Sequence, residues 1–135
     1  GPYAAVIPRF IQAALERKPI DIHGSGEQTR DFTYVETVAR TVEQALKRSD
    51  LWLDTPINLA FGSTTSINQI ASLVEEITGV DLERRYMASR PADIGASTND
   101  PAFLHEIFPG MDDLKISDGL KQTCDWFMGR TEDEA

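Results

Sequence analysis

The stretch from Pro19 to Val38 reads P-I-D-I-H-G-S-G-E-Q-T-R-D-F-T-Y-V-E-T-V, and the rest of the chain is organised around it. It opens as a short strand carried by Ile20 and Ile22, which breaks at Gly24-Ser25-Gly26. Arg30 then stands just before a second apolar run, Phe32 to Val35, which reads as a strand leading into a helix. A cation at a loop-to-strand boundary beside a glycine turn is a place to hold a phosphate. Glycine lets a ligand approach the backbone closely, and guanidinium presents a planar fork to phosphate oxygens. The competing reading of Arg30 is a surface arginine paired with Asp31 or Glu36.

Upstream, Ile7, Phe10, Ile11, Ala14 and Leu15 fall on one stripe at helical spacing. Pro8 fits only the first turn, so this helix is expected to begin near Ala4 to Ile7 and to stop before Pro19. Downstream, a second helix is expected over about Glu36 to Arg48, with Val38, Val42, Ala45 and Leu46 on one side. A short strand, Ile57 to Ala60, follows. Ser66 with Gln69 three residues later is a capping box before Ile67, Ile70, Ala71, Val74 and Ile77, and Gly79 is the natural stop. Leu82 to Met87 reads as a strand and Arg90-Pro91-Ala92-Asp93 as a rigid polar loop. Asp100-Pro101 supplies an N-cap and first-turn proline for a short helix, and a last helix opens near Ser117. The sum is α/β, about five helices with a few short strands.

With 13 basic against 22 acidic residues the net charge is −9, which repels a polyanion and argues against nucleic-acid binding. No run approaches the roughly 18 apolar residues of a membrane span, and no secretory signal pattern opens the chain, so a cytoplasmic protein without a membrane partner is expected. The single cysteine, Cys124, excludes an internal disulfide and lies on a helical pattern with Leu120 and Phe127, as a buried structural thiol would. His23 and His105 are far apart in sequence and lack ligand spacing, so no metal is expected.

Two motifs of redox enzymes are missing. Gly24-Ser25-Gly26 is followed by Glu27-Gln28-Thr29 and then a strand, whereas a dinucleotide fingerprint carries a third glycine and opens a helix. Four residues after Tyr3, Tyr34 and Tyr86 stand Ile7, Val38 and Arg90, so no Tyr-x-x-x-Lys pair is present. No catalytic residue is assigned.

The central stretch resembles the G-(D/S)-G-x-Q-x-R-D-(F/Y)-x-(Y/H)-V segment of the extended short-chain dehydrogenase/reductases, the NAD-dependent nucleotide-sugar epimerases and dehydratases of the UDP-glucose 4-epimerase type. Four further segments are similar in the right order: Val6 to Leu15, Ile57 to Ile67, Arg90 to Asp93 with Ala92 in place of glycine, and Leu114 to Phe127. The resemblance implies a small C-terminal substrate domain lacking the Rossmann half, over residues 1–128, as a fragment of a larger enzyme. Residues 129–135 then form an acidic disordered tail. NAD would be bound by the missing N-terminal domain, and this part alone is expected to be inactive.

The same resemblance implies site residues. Arg30 and Arg90 would clamp the diphosphate of a UDP- or TDP-sugar, and Asp93 would accept hydrogen bonds from the ribose hydroxyls. His23 would stack on the base, Asp21 would offer backbone groups to the base edge, and Val6 would bring a backbone N–H near the phosphates or base. Arg90 with Asp93 as a loop ion pair, and His23 as an ordinary strand-end residue, are the competing readings. A non-catalytic protein-interaction module or a regulatory nucleotide-binding domain of the same fold remains the alternative function.

Overall fold

The computed structural model describes residues 5–51, 54–89, 95–96 and 99–129. Among these described residues, five helices and four short strands run in the order α1 (Val6–Glu16), β1 (Ile20–His23), β2 (Thr29–Arg30), α2 (Val35–Leu46), β3 (Thr65–Ser66), α3 (Ile67–Thr78), β4 (Arg84–Met87), α4 (Ala102–Ile107) and α5 (Ile116–Phe127). This is the expected α/β layout.

Helices α1, α3 and α5 pack on one another and on β1. Their apolar stripes meet in one core: Phe10, Ile11 and Ala14 from α1, Ile70, Ala71 and Val74 from α3, Leu120 and Cys124 from α5, and Ile20 and Ile22 from β1. Strand alternation sends Ile20 and Ile22 inward and leaves Asp21 exposed on the other face. β1 pairs in parallel with β4, Ile20 opposite Arg84 and His23 opposite Met87. The entry to β4 is tied to α3 by Glu75, which accepts from Leu82 N at 2.9 Å and pairs with the Arg84 guanidinium.

Local signals account for the helix ends. Ser66 Oγ accepts from Gln69 N at 3.1 Å while Gln69 Oε1 accepts from Ser66 N at 2.7 Å, so the capping box at α3 is complete. Gly79 closes α3 in the left-handed conformation, φ 68°. Pro8 lies in the first turn of α1. Asp100 caps α4 one residue further out than its spacing suggested, accepting from Ala102 N at 2.9 Å with Pro101 at the N-cap position. Gly119 is a glycine inside a helix for a packing reason: an added Cβ would sit 3.1 Å from the Tyr34 ring, whose hydroxyl donates to Gln122 at 3.0 Å.

Two expectations are corrected. The second strand is not the apolar run Phe32 to Val35 but Thr29–Arg30, because its antiparallel partner is Thr65–Ser66 and the ladder is only that long; Tyr34 is already the N-cap of α2. Ile57 to Ala60 is not assigned to a strand and has no pairing among the described residues. α2 forms as expected but turns its apolar stripe outward: Val35, Val38, Val42 and Leu46 are exposed, while Thr37 and Thr41 are buried. A smaller core of Leu104, Phe108 and Met111, with Ala45, Leu51, Ile57, Phe61 and Ile107 against it, lies under α2. Residues 90–94 and 130–135, which carry the polar loop and nearly all of the acidic tail, lie outside the described residues. Among the described residues no helix is long and apolar enough to cross a membrane.

Candidate functional site

At the C-terminal end of β1 the chain makes two positive-φ turns, Gly24 at 77° and Gly26 at 78°, positions that L side chains rarely adopt. Gly24 N donates to Met87 O at 2.9 Å, which continues the β1–β4 pairing past His23. Gln28 reaches back across the turn, its Nε2 donating to His23 O at 2.7 Å. His23 Nδ1 lies 3.2 Å from Ala88 O, a contact that needs the ring proton on Nδ1 because a carbonyl only accepts.

Asn68, in the first turn of α3, closes the far side. Its backbone N donates to Gly26 O at 3.0 Å, and its Nδ2 donates to Ser25 O at 3.0 Å and to Glu27 Oε1 at 2.6 Å. Tyr86 Oη donates to Asn68 Oδ1 at 3.1 Å, so β4, α3 and the glycine turn are locked together through one amide. A Cβ at Gly26 would collide with the Asn68 side chain.

The turn delivers the chain to β2. There Thr29 lies opposite Ser66 and Arg30 opposite Thr65, and Arg30 Nη1 donates to Thr29 O at 2.8 Å. Thr29 N also donates to Gly95 O at 3.0 Å, with a parallel bridge from Thr29 to Ala96. Arg90 and Asp93 lie outside the described residues, but the described chain on both sides of them is anchored here. Ala88 is held at His23, Ser89 lies beside Gly24, and Gly95 is held at Thr29.

Of the other sequence-predicted residues, His23 and Asp21 share the outer face of β1, and His23 is joined to Arg30 through Gln28 and β2. Val6 is the first residue of α1, at the end of that helix remote from the Arg17–Pro19 connection, where no side chain caps the backbone N–H groups. Asp31 is not an ion-pair partner that merely neutralises Arg30. Its carboxylate accepts from Gly62 N at 3.0 Å and Ser63 Oγ at 2.8 Å and so pins the Phe61–Thr64 turn to the end of β2. Asn68 and Asp31 are the residues that sequence reading missed. Their partners are 18 to 43 positions away in sequence, and no local pattern announces them.

A cleft of about 300 Å³ opens beside β3, with Phe32, Phe61, Thr65, His105 and Lys115 among its lining residues. Asp112 and Asp113 also wall it, and two carboxylates against one lysine do not suit an anion. None of the sequence-predicted residues lines it. Burial pushes the Cys124 thiol up to about 11, with Asp125 adding to the shift, so it stays protonated and inert at neutral pH. Among the described residues no group of three or more His, Cys, Asp or Glu is placed to hold a metal ion. The glycine turn does not fit the diphosphate of NAD: Asn68 already fills the space at Gly26, and the chain leaves the turn into β2 rather than into a helix.

A model of the NAD dependent epimerase/dehydratase family matches residues 1–60. A UDP-glucuronate 4-epimerase from Thermodesulfobacterium geofontis is 35% identical over 119 residues, which is 87% of this chain and 36% of that protein. The solved UDP-N-acetylglucosamine 4-epimerase from Methanobrevibacter ruminantium, in complex with UDP-N-acetylmuramic acid, superimposes with a TM-score of 0.86 at 34% identity, over 97% of this chain and 41% of that one. The UDP-glucuronic acid 4-epimerase from Bacillus cereus, in complex with UDP-glucuronic acid and NAD, gives 0.85 at 28% identity, over 94% and 40%. The chain therefore spans about two fifths of the length of the proteins it matches. On its motifs, its fold and these likenesses, the chain belongs to the NAD dependent epimerase/dehydratase family.

Proposed function

We propose that this chain grips the nucleotide-diphosphate end of a UDP- or TDP-sugar, as the substrate-holding part of an NAD-dependent epimerase or dehydratase. Arg30 and Arg90 take the diphosphate, Asp93 the ribose hydroxyls, and His23 the face of the base. Asp21 contributes backbone groups to the base edge, and Val6 a backbone N–H at the start of α1. The hydride chemistry belongs to NAD, held by a part of the enzyme outside this chain. Here the protein supplies affinity and orientation, and orientation sets the effective molarity of the reacting groups.

One observation carries the reading. The loop that presents Arg30 and the residues on both sides of Arg90 and Asp93 are hydrogen-bonded at one corner, through His23 to Ala88 and Thr29 to Gly95. Nucleotide sugars in the solved complexes of the relatives support it.

An amide NMR titration with UDP, TDP and GDP, with NAD as control, tests it. Even a millimolar site, about −4 kcal/mol, is visible this way. Saturable shifts over residues 23–30 with UDP or TDP, and none with NAD, are expected. A folded sample that responds to no nucleotide contradicts the proposal. The outward stripe on α2 favours a second reading, a protein-interaction module, which the same titration separates from the first.

A further inference from the structure

We propose that the cleft beside β3 is a second binding site, one that takes an organic ammonium ion: a primary amine carried on a small apolar body. Its volume of about 300 Å³ lies at the small end of the range for small-molecule sites. Its aromatic lining is half-buried: Phe32, Phe61 and His105, with Phe61 and His105 meeting edge to face at 6.1 Å between centroids. An aromatic face attracts a cation through its quadrupole, and the same rings cover an apolar body. Asp113 is half-buried in the lining, while Asp112 and Lys115 are exposed. Among the described residues Lys115 makes no ion pair with either carboxylate, so the site keeps an excess of negative charge.

The second observation is a hydroxyl, and it is independent of the charges. Thr65 is only 8% exposed, yet it lines the cleft. Its Oγ1 makes no hydrogen bond among the described residues, and none of their fully enclosed side-chain oxygens is left without a partner. The part of Thr65 that remains open is therefore the hydroxyl, and it opens into the cleft. A buried polar group of this kind is satisfied by water or by a ligand. Asp113 offers a second acceptor beside it: Oδ1 accepts from Leu114 N at 2.9 Å, which fixes the carboxylate and leaves Oδ2 for a ligand. An ammonium group has three donors and no acceptor, which matches carboxylate and hydroxyl oxygens. A metal ion fits less well, since among the described residues no group of three or more His, Cys, Asp or Glu is placed to hold one. None of the residues assigned to the nucleotide sugar lines the cleft, so the inference stands apart from that reading.

The test is an amide NMR titration of the chain with benzylammonium, benzyl alcohol and benzoate, probes of similar shape and different charge. Saturable shifts over residues 61–65, 105 and 112–116 are expected with benzylammonium. It should bind at least about tenfold more tightly than benzyl alcohol, as a charge-assisted hydrogen bond allows. Asp113→Asn keeps an oxygen for Leu114 N and removes the charge, while Thr65→Val keeps the branched shape and removes the hydroxyl. Each variant, with unchanged circular dichroism, is expected to weaken benzylammonium binding by about fivefold or more. If Thr65→Val does not fold, Asp113→Asn carries the test alone. A folded chain that does not respond to benzylammonium overturns the proposal. So does benzoate or benzyl alcohol binding as tightly as benzylammonium, or an Asp113→Asn variant that binds it as well as the parent.

Discussion

Helices α2 and α3 are each twelve residues long and each carries a clean apolar stripe, but they use it in opposite ways. α3 drives Ile70, Ala71 and Val74 to complete burial against α1, α5 and β1. α2 buries two threonines, Thr37 and Thr41, and shows its valines and Leu46 to solvent. The difference teaches that helical periodicity names the face that is to be dry, and says nothing of whether the covering surface lies in the same chain.

The largest effects should separate the two helices. Ile70→Ala is expected to cost about 2–5 kcal/mol, because it opens a cavity in a closed core. Val42→Ala should stay within about 0.5 kcal/mol of the parent, as surface substitutions do. Urea unfolding of both variants checks this, and equal losses would break the comparison.

The glycine turn comes next, since it fastens α3 to the candidate site. Gly26→Ala forces a side chain into a left-handed position and against Asn68, at an expected cost of more than about 1 kcal/mol. Adding Asn68→Ala should recover the part due to collision and leave the backbone part. A double variant no better than the single one would show that the crowding is unimportant.

The start of α3 sharpens the contrast further. Ser66→Ala removes half of a complete capping box and is expected to cost about 1 kcal/mol in thermal or urea unfolding. α2 has no side-chain cap to lose at Tyr34.

The last effect, felt only at alkaline pH, is a pH dependence in the core of α5. Cys124 is raised from 9.0 to about 11, so the folded state holds the thiol proton more tightly than the unfolded chain does. Stability from this source is present below the unfolded value and is lost as pH rises from about 9 towards 11. The stability gap between the parent and Cys124→Ala should narrow over that window. A gap that is flat from pH 8 to 11 would mean that the thiol titrates normally.

Much of this was legible in the residues because the signals were local. Pro8 placed the first turn of α1, Ser66 and Gln69 placed the start of α3, and the spacing of Leu120, Cys124 and Phe127 placed α5. Where partners are remote, reading stopped. The apolar run Phe32 to Val35 looked more like a strand than Thr29–Arg30, but the ladder is decided by Thr65 and Ser66, which local propensity cannot see. Ile57 to Ala60 carries a strand pattern with no ladder among the described residues to satisfy it. At the candidate site, the glycine turn, His23 and Arg30 were readable as neighbours. The clamps by Asn68 and Asp31 were not, because each joins segments that meet only once the chain has folded.

The measurement that bears most directly on the account is the dissociation constant for UDP of the parent chain and of Arg30→Ala, compared by NMR titration at one salt concentration. A guanidinium bonded to a diphosphate contributes about 1.5–3 kcal/mol, so the variant is expected to bind at least about tenfold more weakly with its fold unchanged. Equal affinities in the two proteins would contradict the assignment of Arg30 to the diphosphate, and with it the nucleotide-sugar reading of the site.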